Sequence, residues 1–195
     1  MENEFFYAGI GSRETPAEVL AIMTALAAAL ARAGWTLRSG AAPGADTAFE
    51  DGARSVGGKM EIFLPWAGFN GNRSRLVDVT AEALAMAATI HPAWENLGQG
   101  PRKLHARNCN QVLGQTLDKP VEMTVCWTKD GCESEKTRRR DTGGTGSAIV
   151  LSDRKGIPVF NLKNEASRVR LNAVLAAHGI AYQVPLESGK QFSMF

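Results

Sequence analysis

The sequence has few of the features that mark a membrane, secreted or polyanion-binding protein. No apolar run approaches the roughly twenty residues that span a bilayer, and acidic residues stand where a signal peptide carries basic ones. Lysine and arginine exceed aspartate and glutamate by only two, so the chain as a whole is not a polyanion binder. We therefore expect a cytoplasmic protein with no membrane partner.

Cysteine and histidine are also scarce, with three residues of each in 195. An odd cysteine number without an export signal argues against a disulfide framework. Cys109 follows His105 by four residues, which would place both on one helix face, but no Cys-x-x-Cys pair accompanies them. We expect buried thiols, no metal and no cofactor.

Apolar strand-like segments alternate with amphipathic helical ones along the whole chain. The predicted strands cover residues 5–10, 35–39, 60–64, 121–127 and 157–161, with a possible edge strand at 181–184. The last four predicted helices cover residues 76–90, 104–113, 147–155 and 166–177. The alternation predicts one α/β domain over residues 1–187, followed by a C-terminal tail at 188–195. We expect a Rossmann-like, doubly wound, mostly parallel sheet with helices on both faces.

The first two helix starts carry capping signals. Thr15 is predicted to be an N-cap, with Pro16 at the first helical position and Glu18 as its reciprocal partner in a capping box. Asp46 is predicted to cap the second helix, and Glu50 lies one turn later. A solvated Glu50 is the ordinary expectation, although Asp46 and Glu50 could also supply catalytic carboxylates.

Three loops rich in glycine and small residues stand beside the predicted strands. Small residues let backbone N–H groups approach an anion, and a following helix N-terminus adds partial positive charge. We expect the loops to meet at the carboxyl edge of the sheet and to offer unpaired amides to a phosphate-bearing ligand. The predicted binding residues are Gly9, Gly11, Ser12 and Arg13 in the first loop, Ser39, Gly40, Ala41 and Gly44 in the second, and Gly143, Gly144, Thr145, Gly146 and Ser147 in the third.

These motifs resemble the SLOG superfamily of nucleotide-binding Rossmann-like proteins. Gly9-Ile-Gly-Ser-Arg13 and Arg38-Ser-Gly-Ala-Ala-Pro-Gly-Ala-Asp46 look like the opening of the DNA-processing protein A (DprA/Smf) domain. His105-Ala-Arg-Asn108 resembles the Arg-Asn helix start of that family, which implies ligand contact for Arg107 and Asn108. Thr142-Gly-Gly-Thr-Gly146 is similar to the glycine loop of the Lonely Guy (LOG) nucleotide phosphoribohydrolases. Homo-oligomers are a further implication of the resemblance.

The resemblance to LOG enzymes has a departure that bears on catalysis. Their loop is followed, four residues after its last glycine, by a catalytic glutamate, and Val150 stands at that position here. Cleavage of a nucleoside monophosphate at its N-glycosidic bond would therefore need Asp46 or Glu50 as a substitute.

Three functions follow from these residues. A phosphate-bearing nucleotide could be bound without turnover, a nucleoside monophosphate could be cleaved, or single-stranded DNA could be bound as in DprA. The DNA hypothesis requires one basic stripe, which would comprise Arg73, Arg75, Arg102, Lys103, Arg107, Arg138, Arg139 and Arg140. The last three belong to a polar segment, residues 129–141, predicted to be solvated or mobile and able to close over an anionic ligand.

Overall fold

The computed structural model describes residues 4–77 and 79–186. The predicted tail at 188–195 lies outside these residues. The described strands are β1 (Phe6–Gly9), β2 (Thr36–Ser39), β3 (Met60–Ile62), β4 (Met123–Cys126) and β5 (Val159–Asn161). All are parallel and lie in the order β3-β2-β1-β4-β5. The prediction of a Rossmann-like, doubly wound α/β fold is confirmed.

Strand order reverses between β1 and β4, which pair although β2 and β3 separate them along the chain. In such sheets a crevice opens beyond the carboxyl ends of the two strands at this point. The segments that follow β1 and β4 are adjacent, because the Ser12 amide donates to the Trp127 carbonyl at 3.1 Å. The fold therefore brings the first glycine loop to the edge where a ligand is expected.

Six α-helices cover the two faces of the sheet in the described chain. They are α1 (Ala17–Arg32), α2 (Ala45–Ser55), α3 (Ala81–Ile90), α4 (Gln99–Leu113), α5 (Gly146–Arg154) and α6 (Glu165–Ala177). Helices α1, α2 and α6 pack in one hydrophobic core, and α3, α4 and α5 in the other. Successive side chains of β1 point to opposite faces of the sheet, so that Tyr7 packs in the first core and Ala8 in the second. None of the described helices is long and apolar enough to cross a membrane.

Both predicted N-caps are wrong. Helix α1 begins at Ala17 without a side-chain cap, because the Thr15 hydroxyl donates to the Ser12 carbonyl at 2.8 Å. Helix α2 begins at Ala45 after Gly44, whose φ of 86° suits glycine, and Asp46 lies inside the first turn. Asp46 therefore does not cap the helix. Its carboxylate points back toward the second loop, where it accepts a hydrogen bond from the Ala42 amide at 3.4 Å.

The starts of α3 and α4 also differ from the prediction. Helix α3 begins at Ala81 rather than at residue 76, because Thr80 caps it by accepting from the Ala83 amide at 3.2 Å. Leu76 instead extends the sheet edge through a bridge to Phe63. Helix α4 begins at Gln99, five residues before its predicted start at residue 104. Pro101 stands in the first turn, where its missing N–H costs nothing.

No edge strand forms at residues 181–184, so that prediction is wrong. The backbone of Val184 pairs with a side chain and not with a strand. The Asn172 amide donates to the Val184 carbonyl at 2.9 Å and accepts from the Val184 amide at 2.7 Å. Asn172 thus satisfies both groups that a neighbouring strand would have paired.

The polar segment at residues 129–141 is largely exposed, as predicted, but acidic side chains tie it to the body of the protein. The Asp130 carboxylate accepts from the Thr128 and Thr142 hydroxyls and from the Cys132 amide. The Glu133 carboxylate accepts from the Asn161 backbone amide of β5 and from side chains of α6. Two acidic side chains therefore hold this segment beside the third glycine loop.

Candidate functional site

Parts of all three predicted loops meet in one cleft beyond the carboxyl ends of β1 and β4. This central cleft has a volume of about 410 Å³. Its wall comprises residues 10–14, Ala42, Asp46, Pro101, Leu104, His105, Arg107, Asn108, Gln111 and residues 141–145. The predicted binding residues that line it are Gly11, Ser12, Arg13, Arg107, Asn108, Gly143, Gly144 and Thr145.

Polar side chains of α4 form the floor of the central cleft. Arg107, Asn108 and Gln111 are all buried, although such side chains are mostly exposed in folded proteins. Arg107 and Gln111 are one helical turn apart and share the face that lines the cleft. A buried polar helix face needs partners, and in this protein it adjoins α2 and the third loop.

The floor is built around a buried ion pair between α4 and α2. Arg107 Nη1 lies 3.5 Å from Asp46 Oδ2, and the two side chains are only 6% and 4% exposed. Burial raises the pKa of Asp46, and the Arg107 charge and the amides of Ala42 and Gly11 oppose that rise. Burial likewise lowers the pKa of Arg107, against the opposing charges of Asp46 and Glu50. Each charge thus offsets part of the cost of burying the other.

Two buried N–H donors on the cleft floor have no hydrogen-bond partner. They are Arg107 Nε and Gln111 Nε2, and among the described residues only the Tyr7 hydroxyl shares this condition. The Gln111 side chain lies beside Asp46, but its Nε2 is not well placed to donate a hydrogen bond to that carboxylate. Because leaving a buried donor unsatisfied costs about 1–3 kcal/mol, such groups mark a place where an acceptor is expected.

Gly40 belongs to the packing of Arg107 and does not line the cleft. A Cβ atom at position 40 would lie 1.8 Å from Arg107 Nη1 and 2.6 Å from Gln111 Nε2. No side chain fits there while Arg107 keeps its position. The glycine predicted to expose an amide to phosphate therefore makes room for a guanidinium group.

Several amides of the first two loops are already paired, which corrects the expectation that they are free. The Ser12 amide donates to the Trp127 carbonyl, and the Ala42 amide to the Asp46 carboxylate. In the second loop, the Ala41 amide donates to Glu50 Oε1 at 2.9 Å. The first two loops therefore contribute mainly side chains, such as that of the exposed Arg13, to the central cleft.

The third loop gives the cleft its open glycine wall. A Cβ atom added at Gly143 or Gly144 would meet no atom within 4 Å, and Gly143 has a φ of 64°. The Asn108 amide donates to the Gly144 carbonyl at 2.9 Å, so α4 holds the turn in place. The buried Thr142 hydroxyl donates to Asp130 and accepts from the Arg139 amide. Hydrogen bonds thus hold the loop at both ends, while Gly143 and Gly144 face open space.

Glu50 is buried, and not solvated as its position on the helix suggested. It is 4% exposed and lines a separate side cavity of about 690 Å³ formed with Ala41, Asn72 and their neighbours. Burial and the nearby Asp46 charge raise the pKa of Glu50 from 4.5 to about 7. Asp46 and Glu50, predicted as alternative catalytic carboxylates on one helix face, thus open into different cavities.

The other predicted site residues lie behind the cleft wall. Gly9 sits in β1, where a Cβ atom would meet the Phe49 ring at 2.6 Å, and the Ser39 hydroxyl donates to the Gly9 carbonyl. Gly44 lies against residues 12 and 13, and Gly146 packs against Arg138. Ser147 Oγ lies 2.8 Å from His105 Nδ1. These residues shape the loops and do not contact the cleft.

Several polar groups that line the central cleft are not among the predicted site residues, and they are Glu14, His105, Gln111 and Asp141. The spacing of four between Arg107 and Gln111 indicates a shared face and could have identified Gln111. His105 is predicted as a possible partner of Cys109 and as part of the Arg-Asn motif, whereas its ring lines the cleft. In the described ranges no cluster of His, Cys, Asp or Glu is placed to hold a metal ion.

The basic residues expected to form one DNA-binding stripe are dispersed. Arg107 is buried in the central cleft, Arg73 lines the side cavity, and Arg102 and Lys103 line a third cavity beside α3. Arg138, Arg139 and Arg140 lie together in a further cavity. The basic residues of the predicted stripe thus line four different cavities.

Comparison with protein-family models, curated proteins and solved structures finds no match to this chain. The similarity to the SLOG superfamily therefore stays a prediction from the motifs.

Proposed function

We propose that this protein binds a phosphate-bearing nucleotide in the central cleft, as a SLOG-type nucleotide-binding protein. The observation that carries the proposal is the pair of unpartnered donors, Arg107 Nε and Gln111 Nε2, at the floor of a cleft walled by the third glycine loop. A phosphoryl oxygen or a nucleotide carbonyl would satisfy such donors. Arg13 at the rim adds a second guanidinium group.

The open space beside Gly143 and Gly144 supports an anion in the same cleft. The two glycines precede α5, whose N-terminus carries partial positive charge, and no side chain fills the space that their missing Cβ atoms leave. The N-terminus of α5 and the Arg107 guanidinium of α4 adjoin the same cleft, where one anionic guest could contact both.

Binding without turnover is the function that the carboxylates favour. Asp46, which lines the cleft, already accepts from the Ala42 amide and pairs with Arg107. Glu50 lies in the side cavity, and Val150 is buried and apolar. We therefore assign no catalytic acid, and we rank N-glycosidic cleavage and single-stranded DNA binding below nucleotide binding.

The test is to replace Gly144 by alanine and to measure nucleotide binding by calorimetry with the four 5′-monophosphates. The added methyl group would enter open space, so we expect unchanged folding but at least ten-fold weaker binding, because it occupies the site of the anion. Gly100→Ala is the matched control, since its Cβ atom also meets no neighbour within 4 Å and lies outside the cleft wall. Equal affinity in Gly144→Ala and wild type, or no binding by folded wild type, would refute the proposal.

A further inference from the structure

The turn at Gly143 and Gly144 has a second open side. Away from the central cleft it borders another cavity, of about 650 Å³, between the end of α3 and the polar segment at residues 129–141. We call this the basic cavity, and its polar lining consists of His91, His105, Glu135, Arg138, Arg139 and Arg140, together with the two glycines. His105, Gly143 and Gly144 line both cavities, so the two spaces meet at this turn.

Positive charge in the basic cavity is largely uncompensated. Arg138 Nη1 donates to the Ile90 carbonyl at 2.9 Å, and Arg139 Nη1 donates to backbone carbonyls of its own segment. In the described part of the chain, Arg138, Arg139 and Arg140 form no ion pair with a carboxylate. Neutral carbonyl partners position these guanidinium groups without cancelling their charge.

The one acidic side chain of the basic cavity is engaged elsewhere. Glu135 accepts two hydrogen bonds from Arg154, at 2.8 Å and 2.5 Å, and so forms a bidentate ion pair. Arg154 therefore already neutralises the Glu135 charge, which is not needed to account for the three arginines. An anion in this cavity would meet three guanidinium groups and no unpaired carboxylate.

Two neighbouring imidazole rings, tilted by 52° to each other, line the basic cavity. The His91 and His105 ring centroids are 4.4 Å apart. Burial lowers the pKa of both rings, to about 4 for His105, and the Arg138 charge lowers them further. Neutral imidazoles can donate an N–H to a phosphoryl oxygen without adding to the repulsion among the arginines.

We propose that the basic cavity binds a second phosphoryl group of the same ligand, so that the ligand class is a nucleotide with two phosphates, such as a dinucleotide. This inference rests on the proposed function, because the first phosphate lies in the central cleft. The glycine turn stands between the two sites, and the absence of side chains at residues 143 and 144 leaves room for a ligand that passes across it.

The experiment compares each 5′-monophosphate with the corresponding 5′-phosphorylated dinucleotide by calorimetry. Wild type should bind the best dinucleotide at least ten-fold more tightly than its monophosphate. The Arg139→Gln/Arg140→Gln variant should lose this difference and keep monophosphate binding, because both residues are exposed and lie outside the central cleft. Arg73→Gln/Arg75→Gln removes the same charge elsewhere and should leave both affinities unchanged.

Each outcome decides between the two proposals. Equal affinity of wild type for mono- and dinucleotides overturns the second phosphate site and leaves nucleotide binding intact. The same conclusion follows if the Arg139→Gln/Arg140→Gln variant retains the preference, or if Arg73→Gln/Arg75→Gln loses it equally. Failure of folded wild type to bind any of the eight compounds overturns both proposals.

Discussion

Arg107 is the residue on which the central cleft depends most. It pairs with Asp46 across the floor, it lies where a Cβ atom of Gly40 would be, and its Nε has no partner. Removing one member of a buried ion pair typically destabilises a protein by about 3–5 kcal/mol, because the other charge is left unpaired. A binding defect caused by substitution of Arg107 would therefore be inseparable from a folding defect, which is why a glycine of the third loop is the better test.

Glu50 gives a pH dependence that can be measured at the residue scale. Its pKa is raised from 4.5 to about 7 in the folded protein, so the folded state keeps a proton that the unfolded state releases. The stability associated with this proton is fully present below about pH 4.5 and is lost as pH rises through 7.

Glu50→Gln should therefore stabilise the protein at about pH 8, by an amount on the order of 3 kcal/mol, and should flatten the stability profile between the two pKa values. Glutamine can still accept from the Ala41 amide. Urea unfolding across this pH range gives the measurement, and Asp51→Asn, at the exposed neighbour that also pairs with Arg54, is the control. A variant no more stable than wild type in alkaline buffer would contradict the raised pKa.

At the scale of elements, the polar segment at residues 129–141 is a support for the third glycine loop. Asp130 receives hydrogen bonds from Thr128, Thr142 and Cys132, and these outweigh burial, so its pKa lies below the ordinary value. The segment and the loop are thus joined through one carboxylate.

Asp130→Ala should loosen both parts together. We expect a loss of roughly 1–3 kcal/mol in unfolding free energy, because buried donors lose their acceptor. Amide hydrogen exchange should become faster throughout residues 129–145. Asp141→Ala is the control, since that exposed side chain makes no hydrogen bond or ion pair in the described structure. Faster exchange confined to the mutated residue would show that the segment and loop are independent.

The sequence predicts the strands and helices well where hydrophobic periodicity is strong and less well at their ends. Residues 76–80 continue an apolar pattern into α3, so only the Thr80 cap, a local hydrogen bond, sets the true start. Glycine and proline before Leu104 conceal the first turn of α4. The apolar run at 181–184 resembles a strand, but Asn172 takes its backbone partners. A tertiary contact decides only the last case, whereas the two helix starts depend on local capping and on residues that disguise the first turn.

The candidate site is predictable in part for the same reason. Glycine loops at strand ends indicate where a cleft lies, because sheet topology gathers those ends. The pairing of Asp46 with Arg107 joins α2 to α4, and no spacing rule relates residues so far apart in sequence. Likewise the pairing of the Ser12 and Ala41 amides depends on three-dimensional packing, so their availability is not predictable from the sequence.

At the scale of the whole molecule, the central cleft joins parts of the chain that are distant in sequence. Its walls come from the loop after β1, the start of α2, the middle of α4 and the turn before α5. These elements belong to both hydrophobic cores, so a ligand held between them would link the two faces of the sheet.

We expect a bound nucleotide to stabilise the entire fold. At about 100 times its Kd a ligand adds about 2.7 kcal/mol, which raises the Tm of a domain of this size by roughly 5–10 °C. Hydrogen exchange should show protection at residues 10–14, 107–111 and 141–145 together. Protection limited to one of these three segments would mean that the ligand does not occupy the cleft between them.

Because Gly40 and Arg107 pack against each other, we expect the residues at these two positions, which are distant in sequence, to change together in evolution. A residue larger than glycine at position 40 is compatible with this packing only if position 107 becomes smaller at the same time. Related sequences should therefore covary at these positions, with glycine retained wherever the arginine is. A combinatorial library that randomises the second loop while keeping Arg107 would consist mostly of misfolded members unless codon 40 is left unchanged.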